Sequence, residues 1–115
     1  MIPMSRIYHI VPRRVWEHAG AGPYRADSLA SEGFIHCSRR DQVARIANSF
    51  YRDQPELVVL CIEVDRLTSP VRNQDAGTGE LFPHVYGPIE TSAVVAVTPL
   101  QRGADENWVF SEAGT

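Results

Sequence analysis

The chain contains no lysine, and all 11 of its permanently basic residues are arginine. This absence excludes a P-loop lysine and a Schiff-base lysine, and with them two common kinds of site. The two cysteines, Cys37 and Cys61, are too few for a disulfide framework, so a reducing compartment is expected. The longest apolar run, Leu57 to Ile62, is far too short to cross a bilayer, and Met1 to Arg6 contain no apolar signal region. We therefore expect a cytoplasmic protein that does not span a membrane.

What is present is the composition of an ordinary globular domain. The 115 residues are 43% hydrophobic and 22% charged, and we expect residues 1–115 to form one domain. The charge is uneven, because residues 1–52 carry eight arginines against four acids and residues 53–115 carry three against ten. A net charge of −3 is unfavourable for coating nucleic acid, so that partner is not expected. The arginines either neutralise the acidic half or bind a small phosphorylated ligand.

The hydrophobic pattern predicts an α+β fold with mostly antiparallel strands, because strands and helices do not alternate regularly. Predicted strands cover Arg6–Val11, Phe34–Cys37, Leu57–Val64, Val71–Gln74, Phe82–Tyr86, Ala93–Thr98 and Trp108–Phe110. The strand Leu57–Val64 is almost entirely apolar and is expected at the centre of a sheet, covered on both faces.

Two main helices are predicted, Pro12–Ala19 and Arg39–Tyr51. The first would bury a face formed by Val15, Trp16 and Ala19. The second has apolar residues at i, i+3, i+4 and i+7, which are Val43, Ile46, Ala47 and Phe50. Ser38, followed three residues later by Asp41, predicts a capping box at its start. Residues 24–33 are expected to be irregular, with one short turn at Ser28–Ser31.

Three of the four histidines, His9, His36 and His84, lie inside predicted strands. Side chains alternate along a strand, so His84 shares a face with Tyr86, and with Glu80 if the strand extends back that far. We predict that the three imidazoles point into one shared cleft; the alternative is three separate buried hydrogen-bonding groups. They lack the local spacing of a zinc site, so no metal is expected.

Ser38, Arg39, Arg40 and Glu80 are further candidates for chemistry. Ser38 is either a helix cap or part of an anion site, because the start of a helix offers free N–H groups. Arg39 and Arg40 follow it and are suited to a phosphate. Glu80 comes directly after Gly77–Gly79 and before a strand, which is typical of a catalytic carboxylate and also of a solvated loop residue.

Three blocks of the sequence resemble those of a known family. They read Tyr-His-Ile-Val-Pro from Tyr8, Ser-Glu-Gly-Phe-Ile-His-Cys-Ser from Ser31, and Gly-Glu-Leu-Phe-Pro-His-Val-Tyr-Gly from Gly79. They resemble the signature blocks of the bacterial domain-of-unknown-function 952 family. The resemblance implies a fold similar to that of the ADP-ribosyltransferases, with two small antiparallel sheets around a cleft for NAD.

The resemblance implies an activity on NAD or a related phosphorylated ribonucleotide, with Glu80 and His9 as catalytic residues. Glu80 would stabilise an oxocarbenium-like charge, and His9 would hold a ribose hydroxyl. The implied ligand-binding residues are His36, Ser38, Arg39, Arg40, His84 and Tyr86. The chain lacks the Ser-Thr-Ser triplet and the Glu-x-Glu pair of the active enzymes, since position 78 is threonine. A second interpretation therefore stays open, a non-catalytic module that binds a small ligand or a protein, and a zinc-dependent hydrolase is a third.

Overall fold

Eight strands and three α-helices are found in the residues that the computed structural model describes, 6–75 and 77–111. The strands are β1 (Arg6–Pro12), β2 (Ile35–His36), β3 (Leu57–Glu63), β4 (Val71–Asp75), β5 (Leu81–Val85), β6 (Val94–Pro99), β7 (Gln101–Arg102) and β8 (Trp108–Val109). The helices are α1 (Arg13–Glu17), α2 (Asp27–Glu32) and α3 (Val43–Phe50), and short 3-10 turns cover Arg40–Gln42, Val64–Arg66 and Thr91–Ala93. None of these helices is long and apolar enough to cross a membrane.

The first sheet has the order β1-β3-β6 and is antiparallel throughout. Its central strand β3 is buried on both faces, as the apolar run predicted. One set of alternate side chains enters a core cluster shared with the second sheet, and these are Val58, Leu60 and Ile62. The other set packs with α3, and these are Leu57, Val59 and Cys61. Two layers of core therefore lie on either side of one strand.

The second sheet has the order β2-β5-β4 and is also antiparallel. It is joined to the first sheet by a bridge between Tyr8 of β1 and Ser38, whose backbone N–H groups donate to each other's carbonyls at 2.9 and 2.7 Å. Ile35 and Val85 point into the core between the sheets. The prediction of an α+β fold with antiparallel sheets is confirmed.

The first half of the chain departs from the helix predictions. The predicted helix Pro12–Ala19 is shorter in the structure, where α1 has five residues. Of its predicted buried face, Trp16 packs against the core and Val15 is 43% exposed. Residues 24–33, predicted to be irregular, contain α2, so the prediction of two main helices was wrong. The helix was missed because it lacks a capping side chain, although Gly33, with φ of +91°, ends it as left-handed glycines commonly do.

The start and end of the predicted helix Arg39–Tyr51 also differ. Ser38 does not cap it, because its backbone is still paired with β1, and the carboxamide of Gln42 instead accepts the Arg39 N–H at 2.8 Å. Phe50, predicted to be buried, is 75% exposed. Tyr51, directly after the helix, packs against the core in its place.

The last described segment folds back onto α3 as the two-stranded sheet β7-β8. Trp108 is buried, its indole N–H donates to the Tyr51 carbonyl at 3.0 Å, and the Arg102 guanidinium lies 3.7 Å from its ring centroid. The predicted strand at Trp108 therefore exists, but it ends at Val109.

Candidate functional site

The outer face of the β2-β5-β4 sheet carries a continuous group of rings and polar side chains. Strand register places them together, because His36 and Arg72 both lie opposite His84 on neighbouring strands. We call this group the histidine–aromatic face, and its members are Phe34, His36, Arg72, Gln74, His84 and Tyr86.

Four of the rings are in direct contact. Phe34 stacks on His84 with ring centroids 4.1 Å apart and an angle of 6° between the planes. The edge of His36 meets Phe34 at 4.8 Å and His84 at 5.3 Å, and Tyr86 lies 5.3 Å from Phe34. The structure therefore brings His36 and His84 together, as the strand alternation allowed.

His84 is the most buried member of the histidine–aromatic face, at 3% exposure. Its Nδ1 lies 2.9 Å from Oε1 of Gln74, and the Tyr86 hydroxyl donates to the same oxygen. Its Nε2 is buried and has no hydrogen-bond partner among residues 6–75 and 77–111. Burial, followed by the nearby His36, lowers the pKa of His84, so the ring is held neutral.

The charged groups at the edge of this face are exposed. Nε2 of His36 lies 3.1 Å from Oε2 of Glu32, the last residue of α2 and four residues earlier in the chain. The Arg72 guanidinium lies 5.6 Å from the Tyr86 ring centroid. No carboxylate in the described part of the chain forms an ion pair with Arg72, so its charge faces solvent.

His9 does not join this group of rings. It is 6% exposed, its Nδ1 donates to the His36 carbonyl at 2.7 Å, and its Nε2 accepts from the Tyr24 hydroxyl at 2.9 Å. Burial lowers the pKa of His9 to about 4. Both ring nitrogens of His9 are therefore hydrogen-bonded. The buried ring connects β1 to β2 and to Tyr24, which lies before α2.

Glu80 lies one residue before β5, beside the turn that precedes α3. Its Oε2 accepts from Nε2 of Gln42 at 2.8 Å and from the guanidinium of Arg45. The Gln42 hydrogen bond, with Arg45 beside it, lowers the pKa of the Glu80 carboxyl. Its other oxygen, Oε1, accepts no hydrogen bond from the described residues, and the side chain is 32% exposed. The carboxylate is thus ionised and fixed through one oxygen.

The remaining predicted site residues are not members of the histidine–aromatic face. Ser38 is buried at the bridge to β1. Arg39 donates to the Leu81 carbonyl at 3.0 Å and pairs with Asp41 at 3.3 Å, while Arg40 lies on the surface. Of the predicted residues, the structure therefore brings His36, His84 and Tyr86 together around Phe34, and Glu80 lies apart from them beside Gln42 and Arg45.

Metal binding finds no support in the side-chain arrangement. Within residues 6–75 and 77–111, no three histidine, cysteine, aspartate or glutamate side chains are grouped to hold an ion. The expectation of a metal-free site stays a prediction.

Sequence reasoning missed three members of the histidine–aromatic face: Phe34, Arg72 and Gln74. Phe34 and His36 are two residues apart in the predicted strand Phe34–Cys37, as are Arg72 and Gln74 in Val71–Gln74, so alternation puts each pair on one strand face. That alternation was the available signal, but the sequence carried no information on which strand β4 would join.

Comparisons with known proteins give the family from a family model and the fold from solved structures. The family model described as protein of unknown function (DUF952) matches residues 10–97. The chain is also similar to the crystal structure of protein CC0527 from Caulobacter crescentus, with 31% identity, a TM-score of 0.80, and coverage of 91% of this chain and 94% of that one. The solution NMR structure of CC0527 gives 32% identity, a TM-score of 0.76, and coverage of 90% and 91%. The comparison with curated proteins gave no match. The chain belongs to the DUF952 family of proteins of unknown function.

Proposed function

We propose that this protein binds NAD or a related phosphorylated ribonucleotide on the histidine–aromatic face and cleaves or transfers its ribosyl group, as ADP-ribosyltransferases do. The observation that carries the proposal is the set of stacked rings flanked by the exposed charge of Arg72, which pairs with no carboxylate of residues 6–75 and 77–111. Flat rings bind the base of a nucleotide by stacking, and a guanidinium binds phosphate through paired N–H groups. This combination favours a ligand that has both an aromatic base and a negative charge.

Glu80 supplies the chemistry that the reaction needs. Cleavage of the ribosyl–nicotinamide bond sends the bonding electron pair to nicotinamide and leaves positive charge on the ribose. A water molecule or an acceptor hydroxyl then bonds to the ribose carbon and gives up its proton. An ionised carboxylate near that carbon stabilises the developing charge, and Oε1 of Glu80 is the oxygen free to do so.

The spacing between Glu80 and His84 along the chain favours an extended ligand. Glu80 precedes His84 by four residues, which is roughly 13 Å at about 3.3 Å per strand residue. A dinucleotide bridges that distance, with its base on the rings and its reacting ribose at the carboxylate. A mononucleotide does not reach both, so we expect tighter binding of NAD than of AMP.

A specific observation also favours the second candidate function, a non-catalytic module that binds the same class of ligand. Both nitrogens of His9 are engaged inside the protein, so this histidine is not offered to a ribose hydroxyl in the way the resemblance implies. Binding on the histidine–aromatic face does not require His9. An activity in which His9 holds a ribose hydroxyl does require it.

Calorimetric titration with NAD, ADP-ribose and AMP, together with a nicotinamide-release assay, separates these functions. Arg72→Gln should weaken NAD binding about 10- to 100-fold, the loss expected for a charged hydrogen-bonded pair. Arg14→Gln is the matched control, since it removes an exposed arginine on α1 whose guanidinium donates to Gln54, away from the histidine–aromatic face. Binding with nicotinamide release supports the enzyme, and binding without release supports the module. Failure of all three nucleotides to bind overturns both.

A further inference from the structure

Gln74 determines which nitrogen of His84 carries the proton. The two side chains meet through Oε1 of Gln74 and Nδ1 of His84, 2.9 Å apart. An amide oxygen can only accept, so the proton of that hydrogen bond belongs to Nδ1. The Tyr86 hydroxyl donates to the same oxygen, and the two donors together use both of its lone pairs. The neutral His84 ring therefore carries its proton on Nδ1 and presents a lone pair at Nε2.

The orientation of that lone pair is fixed by packing. Phe34 lies flat against one face of the His84 ring, and the edge of His36 meets it at 5.3 Å. Nε2 is buried without a partner among the described residues, although buried polar atoms nearly always have one. Nε2 of His84 is therefore a hydrogen-bond acceptor with a fixed orientation, as a binding site provides for a donor group of its ligand.

We propose that Gln74 is a positioning residue that holds His84 in the Nδ1–H tautomer, and that Nε2 of His84 accepts a hydrogen bond from a hydroxyl of the ligand. A ribose hydroxyl is such a donor, whereas a phosphate oxygen would face the lone pair with its own negative charge. His84 thereby selects the sugar and Arg72 selects the phosphate. The identity of the ligand rests on the proposed function, but the tautomer does not.

Nε2 is buried, and His36 is the neighbouring ring best placed to move and expose it. The His36 side chain is 49% exposed, and its Nε2 meets the equally exposed Glu32. Phe34, by contrast, contacts His36, His84 and Tyr86 at once. We expect a bound ribose to displace the His36 ring from the edge of His84.

The first experiment reads the tautomer on the full chain without any ligand. Long-range proton–nitrogen NMR correlations distinguish a protonated ring nitrogen from an unprotonated one, at a pH where the ring is neutral. We expect Nδ1 of His84 to be protonated in the wild type and in Tyr86→Phe, which keeps the Gln74 bond. Gln74→Met should lose this preference, and Gln74→Glu, which restores an acceptor oxygen, should recover it. A proton on Nε2 in the wild type would overturn the inference.

The second experiment tests the acceptor with ADP-ribose and its analogues that lack single ribose hydroxyls. Removal of the hydroxyl that meets Nε2 should weaken binding to the wild type about tenfold, the usual effect of one lost hydrogen bond. His84→Phe keeps a flat ring against Phe34 and removes the acceptor, so the same analogue should bind it as well as ADP-ribose does. Equal discrimination in both proteins overturns the role of Nε2. The Nδ1–H tautomer with no nucleotide binding overturns the proposed function and supports the role of Gln74 in holding the tautomer.

Discussion

His9 should make the folded protein sensitive to acid. Burial lowers its pKa to about 4 in the folded state, against about 6.5 in the unfolded chain. Between these two values the unfolded state binds a proton that the folded state does not. The free energy of unfolding therefore falls as the pH is lowered from about 6.5 to about 4. At about 1.4 kcal/mol per pH unit, the loss due to this one imidazole reaches about 3 kcal/mol.

The physical reason is the burial of the imidazolium charge, which is costly without a paired anion. The two hydrogen bonds do not offset this cost. Nδ1 would still donate to the His36 carbonyl, and the Tyr24 hydroxyl would have to rotate and accept from Nε2 instead of donating to it.

Urea unfolding at a series of pH values measures this effect. The wild type should lose about 3 kcal/mol more than His9→Asn between pH 7 and pH 4. His18→Asn is the matched control, because it removes a surface imidazole on the segment after α1 and should follow the wild type. If His9→Asn does not fold, NMR titration of His9 in the wild type decides the matter. A folded-state pKa near 6.5, or a difference between the proteins that does not change with pH, would refute the reasoning.

Three further perturbations test the site and the packing. Glu80→Gln should reduce the rate of nicotinamide release by about 10²–10³ with little change in NAD affinity. The reason is that the positive charge that Glu80 stabilises exists only in the transition state. Equal rates in both proteins would remove Glu80 from the mechanism. Gly87→Ala should lower the stability by about 1–3 kcal/mol in thermal unfolding, because its new Cβ would lie 2.3 Å from Oγ of Ser69. Gly22→Ala, which meets nothing within 4 Å, is its control and should unfold like the wild type. Phe50→Ala should change the free energy of unfolding by no more than about 0.5 kcal/mol, since the ring is 75% exposed, and a larger loss would contradict its exposure.

The local features of the fold could be predicted from the sequence because they depend on residues that are close together in the chain. The apolar run from Leu57 specified a central strand, since only a strand covered on both faces accepts such a run. The alternation of side chains placed Tyr86 on the same strand face as His84. The block from Ser31 to Ser38, together with the blocks that begin at Tyr8 and Gly79, indicated the family that the comparisons show. Each of these signals acts over fewer than about ten residues.

The roles of His9 and Phe50 show where that information ends. The partners of His9 are Tyr24 and the His36 carbonyl, 15 and 27 residues away in the chain. Nothing near His9 distinguishes a buried connector from a ligand-binding imidazole. Phe50 has the spacing of a core residue on α3, but the packing of Tyr51 after the helix leaves it in solvent.

The candidate site itself was decided by strand order. The sequence predicted strands at His36, His84 and Gln74 but not that the strand of His84 would lie between the other two. Only the antiparallel register of β2, β5 and β4 places Arg72 and His36 on either side of His84 and brings Gln74 to its Nδ1. Propensity and alternation fix what each strand is and which way its side chains face. Which strands become neighbours depends on contacts between residues far apart in the chain, such as Ile35 and Val71 on either side of Val85, and no local pattern encodes them.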